Sequence, residues 1–419
     1  MRKIIKDIIS EISNCIKFDS SQQPASENSP FGKGAADCLE YFLNAAKNMG
    51  FEVKNYANYA GEVCFGSGKD FAVLAHLDVV PAGSGWTHAP FGGEIDENSK
   101  RIWGRGTMDD KGPAVIALYA MKALKDEGFI PRRRIKLILG CNEENGWECI
   151  DYYKKHAVMP EEGFSPDANF PVIYAEKGIL QVRFKFAPST AFSNLKGGER
   201  ANMVCDYCSV CAPADSARLE KYGLTFENGA IVSRGKSAHG SQPQNGVNAI
   251  KPVLEYLGLD DMLNILFYDG LDISRFEDET GKLTFSPNII EQTSEGIFVT
   301  CDLRFPATFK RADICACIDK KGVSYDILHY QAPLYNDKEC FLIKTLCGVY
   351  NEVTGKNLQP VAIGGGTYAR ALKCGAAFGP EEDGEEVTIH KPDEYITFAK
   401  IERCFDIYKL AIKKLTERA

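Results

Sequence analysis

The chain has 419 residues, of which 44% are hydrophobic and 25% are charged, and its formal net charge is −8. This length predicts two or three domains. The acidic balance argues against a nucleic-acid partner, because neutralising phosphates requires a basic surface. No apolar run is long enough to span a bilayer, so we expect no membrane partner. The charged N-terminus carries no signal-peptide pattern, so we expect a cytoplasmic protein, and its 15 cysteines are interpreted mainly as packing residues.

Helix and strand patterns alternate in the first part of the chain. Apolar residues recur at helical spacing over 36–49, and Phe71–His76 is a continuous apolar run typical of a buried strand. A further helix is predicted over Pro113–Glu127 and a further strand over Ile135–Gly140. This alternation predicts an α/β fold with a mainly parallel sheet and helices on both faces. In such sheets, ligand groups gather beyond the carboxyl ends of the strands.

After Gly178 the pattern changes to apolar residues that alternate with polar ones, as in half-exposed antiparallel strands. Strands are predicted at 180–186, Gly296–Phe305 and Val323–Tyr330, and helices at Asn245–Leu257 and Ala312–Lys320. From about Lys338 the chain returns to a helix followed by glycine-rich loops. We therefore predict a catalytic domain formed by residues 1–180 and 332–419 and an inserted α+β lid domain at 181–331.

Acidic residues and histidines follow several of these elements. His76 and Asp78 are two residues apart at a strand end, where their side chains share a face and the carboxylate can support the imidazole. Asp109 and Asp110 lie in a glycine-flanked turn before the helix at Pro113, where one carboxylate is able to bridge two metals. The alternatives are an incidental His-Asp pair and a pair of helix-capping aspartates.

Glu143 and Glu144 follow a buried strand. Adjacent carboxylates there repel each other unless a cation or a proton compensates. If one of the two glutamates is a metal ligand and the other a proton shuttle, this repulsion is compensated. The alternative is a solvated pair on the surface. Asp167 and His390, taken alone, are a turn residue and a loop residue. Oxygen and imidazole donors of this kind suit divalent metals that activate water, which predicts a metallohydrolase.

Taken in order, these motifs resemble the two-metal family of aminoacylases, carboxypeptidases and dipeptidases, and in particular its PepV-type, carnosinase-like dipeptidase branch. The motifs that carry the resemblance are His76–Gly83, Gly104–Pro113, Glu143-Glu144, Phe164–Asp167, Gly235–Gly240, Asp302–Pro306 and Gly364–Arg370. The order is that of the family over most of the chain. Two features depart from it, namely the acidic loop Pro380–Glu386, which bears on substrate preference, and a short lid.

The resemblance implies a role for each matching residue. The metal ligands would be Asp109 between the two metals, His76 and Asp167 on one metal, and Glu144 and His390 on the other. The catalytic residues would be Glu143 as general base, Asp78, which orients His76, and His239, which stabilises the oxyanion. The substrate would be held by Asn202, Arg304, Gly365, Gly366 and Thr367. A structural salt bridge is the alternative for Arg304, and a surface loop histidine is the alternative for His239.

The activity that the resemblance implies is that of a metallopeptidase, a dipeptidase that hydrolyses the peptide bond of small unblocked peptides. A hydroxide that bridges two divalent ions would attack the carbonyl, with Glu143 as general base. Zn²⁺ fits these ligands, and so do Mn²⁺ and Co²⁺. The protein would be a monomer or a homodimer. The alternatives are an N-acyl amino acid deacylase, such as an aminoacylase or a desuccinylase, and a non-catalytic relative that binds metal or peptide.

Overall fold

The computed structural model describes residues 1–418. Its α-helices are α1 Lys3–Ile16, α2 Lys33–Asn48, α3 Lys111–Asp126, α4 Glu148–His156, α5 Ser216–Tyr222, α6 Ile250–Leu257, α7 Asp260–Phe267, α8 Arg311–Asp319, α9 Phe341–Thr354 and α10 Phe398–Thr416. Two short 3₁₀ helices span Pro243–Asn245 and Tyr368–Ala371. Within residues 1–418, no helix is both long enough and apolar enough to cross a membrane.

The strands of the first half are β1 Glu52–Tyr56, β2 Ala60–Phe65, β3 Asp70–His76, β4 Glu94–Asp96, β5 Arg101–Trp103, β6 Arg134–Gly140, β7 Glu162–Ser165, β8 Ala168–Asn169, β9 Ile173–Glu176, β10 Gly178–Phe186, β11 Ser193–Gly197 and β12 Tyr207–Cys211. Those of the second half are β13 Thr225–Glu227, β14 Ala230–Arg234, β15 Glu277–Asp278, β16 Gly281–Lys282, β17 Thr284–Thr293, β18 Gly296–Phe305, β19 Ser324–Gln331, β20 Leu334–Tyr335, β21 Val361–Ile363, β22 Cys374–Ala377, β23 Pro380–Glu381 and β24 Tyr395–Thr397.

The chain divides into two compact units. Unit 1 comprises Met1–Tyr174, Asn336–Val361 and the chain from Thr367 onward, and unit 2 comprises Ala175–Tyr335 and Ala362–Gly366. The segment 181–331, predicted as a lid domain, lies inside unit 2, and its function as a lid stays a prediction.

Unit 1 is built on a sheet with the strand order β1-β2-β6-β3-β7-β22. The pairs β6–β3, β3–β7 and β7–β22 are parallel, whereas β1–β2 and β2–β6 are antiparallel. In β3 every residue after Asp70 is buried, as expected for a parallel strand covered on both faces. The predicted α/β class is confirmed, with the parallel strands at the centre of the sheet.

Helix α3 connects the turn that contains Asp109 and Asp110 to the core of unit 1. It starts at Lys111, two residues before the predicted start at Pro113, and Pro113 fits its first turn because the fixed φ of proline suits that position. Thirteen of its 16 residues are buried, and it packs against β3, β6 and α10. The turn that precedes it is therefore anchored to a rigid layer of the fold.

Unit 2 contains an antiparallel sheet with the order β13-β14-β12-β11-β17-β18-β10-β19. On β10, Leu180, Val182 and Phe184 are buried and the residues between them are less so, which matches the alternating pattern of the sequence. The helix predicted over Asn245–Leu257 begins only at Ile250. The earlier part of that prediction was wrong, because Val247 instead exchanges two backbone hydrogen bonds with Lys236.

Candidate metal centre

Three adjacent parallel strands of unit 1 deliver the candidate ligands to one edge of the sheet. His76 is the last residue of β3, Glu143 and Glu144 lie in the turn after β6, and Asp167 follows β7. Asp109 lies in the loop between β5 and α3. All of these strands end on the same side, because they are parallel, and the side chains that follow them converge.

His76 is fully buried and contacts the first group of carboxylates. Its Nδ1 lies 3.0 Å from the carbonyl oxygen of Asp78, which can only accept a hydrogen bond, so Nδ1 carries the hydrogen. In the neutral imidazole, Nε2 then presents a lone pair to Asp109 Oδ1 at 3.0 Å and to Asp167 Oδ2 at 3.6 Å. An acceptor that faces two carboxylate oxygens is stable only with a cation or a proton between them.

His390 contacts a second group of carboxylates. Its Nε2 lies 2.8 Å from Asp109 Oδ2 and 3.0 Å from Glu144 Oε1. The two oxygens of Asp109 thus point to different partners, Oδ1 to the group with His76 and Oδ2 to the group with His390. One carboxylate shared between two sets of nitrogen and oxygen donors is the arrangement that a pair of bridged divalent ions requires.

Ligand atoms of His76, Asp109 and Glu144 lie within 4.8 Å of one another, and so do ligand atoms of His76, Glu143 and Asp167. The five predicted metal ligands are therefore brought together, and Glu143 lies beside them. The buried Nε2 of His76 has no hydrogen-bond partner within residues 1–418. This unpaired nitrogen and the mixed imidazole and carboxylate donors fit divalent metal ions.

Burial, and to a smaller extent neighbouring carboxylates, raise the pKa of several carboxyl groups in this cluster. Burial raises the pKa of Glu143 and of Asp110 well above the usual range. Burial and the charge of Asp109 raise the pKa of Glu144 to about 7. Burial alone would lower the pKa of His390, but its hydrogen bonds to Asp109 and Glu144 raise it to about 11. Protons thus balance the negative charge of the cluster, and divalent ions would supply the same positive charge.

Asp78 has a different set of contacts from the one that the sequence suggested. Its carboxylate accepts hydrogen bonds from the backbone N–H groups of Glu143 and Glu144, each at 3.0 Å. The nearest acceptor to Nδ1 of His76 is the Asp78 carbonyl, and the carboxylate lies farther away, at 3.5 Å. Asp78 therefore fixes the ring of His76 mainly through its backbone and holds the Glu143-Glu144 turn through its side chain.

Asp110 does not cap helix α3, although it occupies the N-cap position. Its fully buried carboxylate instead accepts the backbone N–H of His76 at 3.2 Å. The peptide bond between Asp109 and Asp110 is cis. The alternative of a helix-capping pair is therefore wrong for Asp110, since its side chain binds the end of strand β3.

Sequence reasoning missed Glu394. Its fully buried carboxylate accepts from Arg105 Nη1 at 2.7 Å and from the N–H groups of Gly106 and Met108 at 3.0 and 2.9 Å. These contacts fix the turn that presents Asp109. The signal in the sequence was weak, because Glu394 and Arg105 are almost 300 positions apart.

Unit 2 holds most of the residues predicted to bind substrate. The carbonyl of Asn202 accepts the N–H of Gly240, beside His239. The N–H of Ser241 donates to Nδ1 of His239 at 3.2 Å, which leaves Nε2 as the N–H donor of a neutral ring. Burial and the charge of Arg304 lower the pKa of His239.

The buried Arg304 has structural partners in unit 2. Its Nε donates to Asp302 at 2.9 Å and its Nη1 to the carbonyl of Gly364 at 3.2 Å. The salt bridge proposed as the alternative is thus present, and the Gly364 loop, which continues into Gly365 and Gly366, lies next to the guanidinium. In unit 1, the hydroxyl oxygen of Thr367 accepts the N–H of Ala369.

Comparison with known proteins identifies the family. Residues 72–414 match the profile of peptidase family M20/M25/M40. The chain belongs to this family. A Beta-Ala-Xaa dipeptidase from Lactobacillus delbrueckii subsp. lactis is 35% identical over 454 aligned positions, which cover 98% of this chain and 96% of that relative. The family predicted from the motifs and the prediction of a hydrolase of peptide bonds are confirmed.

Solved structures of low sequence identity share the fold. Human carnosine dipeptidase 1 matches with a TM-score of 0.61 and 11% identity over 99% of this chain and 96% of that one. The aminopeptidase PepT from Bacillus cereus matches with a TM-score of 0.60 and 14% identity over 98% of each chain. At these identities, the two likenesses show a shared fold.

Proposed function

We propose that this peptidase hydrolyses the peptide bond of unblocked dipeptides with the help of two divalent metal ions. The observation that carries the proposal is the division of the Asp109 carboxylate between two groups of donors, one with His76 and one with His390. A single ion would need only one of these groups. The names of the relatives, a Beta-Ala-Xaa dipeptidase and a carnosine dipeptidase, support a dipeptide as the substrate.

The residues that would hold the ions follow from these contacts. His76 and Asp167 would bind one ion, Glu144 and His390 the other, and Asp109 both. We propose zinc, because a borderline metal suits mixed imidazole and carboxylate ligands, and manganese or cobalt would fit the same set. Bound ions of this kind polarise a carbonyl group and make water more acidic.

Glu143 would serve as the general base. Its backbone is held by Asp78, and its side chain lies within ligand distance of His76 and Asp167. In this role it would take a proton from the attacking water and return it to the leaving amine. His239 would donate from Nε2 to the developing oxyanion, as its tautomer permits, while Asn202, Arg304 and the loop Gly365–Thr367 would hold the substrate.

A cleft in unit 1 supports a free amino group as part of the substrate. It has a volume of about 600 Å³ and includes Asp78 and Glu144 in its lining, so it adjoins the metal cluster. Glu148 also lines it, and its carboxylate makes no hydrogen bond or ion pair within residues 1–418. None of the described residues around the cleft is a lysine or an arginine. Such a cleft favours an ammonium group over a blocked or anionic one.

The test compares an unblocked dipeptide with its N-acetyl analogue on the metal-loaded enzyme. We expect the unblocked dipeptide to be the better substrate, with a kcat/KM at least about 100-fold higher. Acetylation removes the positive charge of the amino group and makes that end of the substrate larger. A preference for the N-acetyl compound would instead identify a deacylase. Absence of turnover on both, with two ions bound, would identify a non-catalytic relative.

A further inference from the structure

The side chain of Trp147 contacts the proposed general base. Its indole Nε1 donates a hydrogen bond to Glu143 Oε1 at 3.2 Å. Within residues 1–418, this is the one side-chain hydrogen bond that Glu143 makes. One carboxylate oxygen is therefore anchored by a donor, and the other, Oε2, has no such partner. A general base is best held by one carboxylate oxygen only, because the other oxygen must stay available to accept the proton.

The backbone around Trp147 holds the indole in place. Trp147 is the N-cap residue of α4 and has a φ of 66°, which is uncommon for a residue with a large side chain. Its N–H donates to the carbonyl of Asn142 at 2.9 Å, and the side chain of Asn142 accepts the N–H of Glu148 at 3.1 Å. The turn from Asn142 to Trp147 is thus closed at both ends.

The ring of Trp147 is fixed by a second aromatic residue. It meets Tyr368 edge to face, with centroids 5.1 Å apart and an interplanar angle of 83°. Tyr368 is fully buried, and its hydroxyl lies 2.7 Å from Sγ of Cys149. The same ring meets His76 edge to face at 6.0 Å. A side chain at Gly140 would collide with the Tyr368 hydroxyl, since an added Cβ would lie 1.9 Å from it.

These contacts form one chain from a candidate metal ligand to the base, in the order His76, Tyr368, Trp147 and Glu143. We propose that Trp147 is a positioning residue for Glu143, and that its indole N–H holds Oε1 so that Oε2 is the oxygen that takes the proton. The indole hydrogen is not transferred, and the proton that Glu143 accepts leaves with the product amine. This inference rests on the proposed function, in which Glu143 is the general base.

The variant Trp147→Phe removes the N–H donor and keeps an aromatic ring against Tyr368. We expect kcat on an unblocked dipeptide to fall on the order of 10-fold, the value of one hydrogen bond to a charged group. KM should change less than about 2-fold, and both metals should remain bound, because Trp147 contacts neither substrate nor ion in this account.

Trp103→Phe is the matched control. The indole nitrogen of Trp103 is buried and has no hydrogen-bond partner within residues 1–418, and its ring stacks on His88. The same substitution there removes an N–H but no hydrogen bond, so the kinetic constants should stay near those of the wild type. Because wild-type turnover tests the proposed function, the ratio of variant to wild type tests Trp147 separately.

A double-mutant cycle with Glu143→Asp separates positioning from a general structural effect. The shorter carboxylate is withdrawn from the indole, so Trp147→Phe should cost less than about 2-fold in that background. An equal loss in both backgrounds, or no loss in the wild type, would overturn the proposal. If Trp147→Phe does not fold, benzothienylalanine at position 147 replaces the N–H by sulfur at almost unchanged shape, and the same two results apply to it.

Discussion

At the scale of single residues, the carboxylate of Asp109 links two sets of ligands. Its Oδ1 faces the nitrogen of His76 and its Oδ2 faces that of His390. Without cations, burial alone would raise the pKa of Asp109, but its contacts with these two imidazoles lower it. The positions of these side chains therefore require positive charge between them, from protons or from metal ions.

Glu143→Gln tests the residue assigned as general base. The amide keeps the size of the side chain but cannot take a proton, so kcat should fall by about 10²–10⁴-fold. The metal content should stay at two ions per chain, because Glu143 is not one of the five proposed ligands. Steady-state kinetics and elemental analysis of the same preparation measure both quantities. Near-normal turnover would show that another group moves the proton.

The pH dependence of metal stabilisation follows from the same cluster. The pKa of His390 is raised to about 11 by Asp109 and Glu144 against the opposing effect of burial, whereas an unfolded histidine titrates near 6.5. Its protonation therefore stabilises the metal-free protein fully below about pH 6.5, and this stabilisation is lost as the pH rises through about 11. The raised pKa of Glu144, about 7, acts in the same direction, since a carboxylate that ionises in the folded cluster adds repulsion.

We therefore expect bound metal to stabilise the protein more at about pH 8.5 than at about pH 6, because the ions replace protons that are lost at high pH. Thermal unfolding with added zinc and with a chelator, at both pH values, measures the difference in Tm. The variant His390→Asn should reduce the pH dependence. An equal or smaller metal effect at the higher pH would contradict the account.

Sequence reasoning predicted the candidate metal ligands, but it missed most of the contacts that hold them in place. His76, Glu143 and Glu144 were recognisable, because each lies at or just after the carboxyl end of a buried apolar strand. The contacts of Asp78 with the Glu143-Glu144 turn and of Trp147 with Glu143 were not, since they depend on how separate loops approach each other. Such contacts leave no periodic signal along the chain.

At the scale of elements, three neighbouring parallel strands and the loop before helix α3 place four of the five proposed metal ligands. The bounds predicted for β3 and β6 were close to those observed, because a fully buried strand is a continuous apolar run, whereas the short strand β7 was not predicted. The helix expected from Asn245 was displaced to Ile250, because a bridge to Lys236 competes with helix formation there. Local periodicity predicts an element well only where the backbone does not form hydrogen bonds with a segment that is distant in sequence.

Glu394→Gln tests the support of the turn before α3. The change breaks the ion pair with Arg105, in which both side chains are almost fully buried, and leaves a charge without its partner. We expect the free energy of unfolding to fall by about 3 kcal/mol. Urea unfolding of the metal-free protein measures it. The control Asp37→Asn breaks the exposed pair with Lys33 and should cost less than about 0.5 kcal/mol; an equal effect of both changes would refute this role.

At the scale of the whole molecule, the two units have different tasks in this account. The five proposed metal ligands all belong to unit 1, and His239 belongs to unit 2. The length of the chain and the change of pattern after Gly178 predicted a catalytic domain and an inserted lid domain.

His239→Ala should lower kcat by about 10²-fold or more, since it removes a proposed oxyanion donor. The number of bound metals should not change. His329→Ala, at an exposed position of the same unit, is the control and should behave like the wild type. A loss of metal in His239→Ala, or unchanged turnover, would show that unit 2 does not take the part assigned to it.

Anomalous diffraction from crystals of the zinc-loaded enzyme tests whether Asp109 bridges two ions. We expect two peaks separated by about 3.5–4 Å, one against His76 and Asp167 and the other against Glu144 and His390, with Asp109 between them. A single peak, or a pair of ions that Asp109 does not bridge, would contradict this prediction.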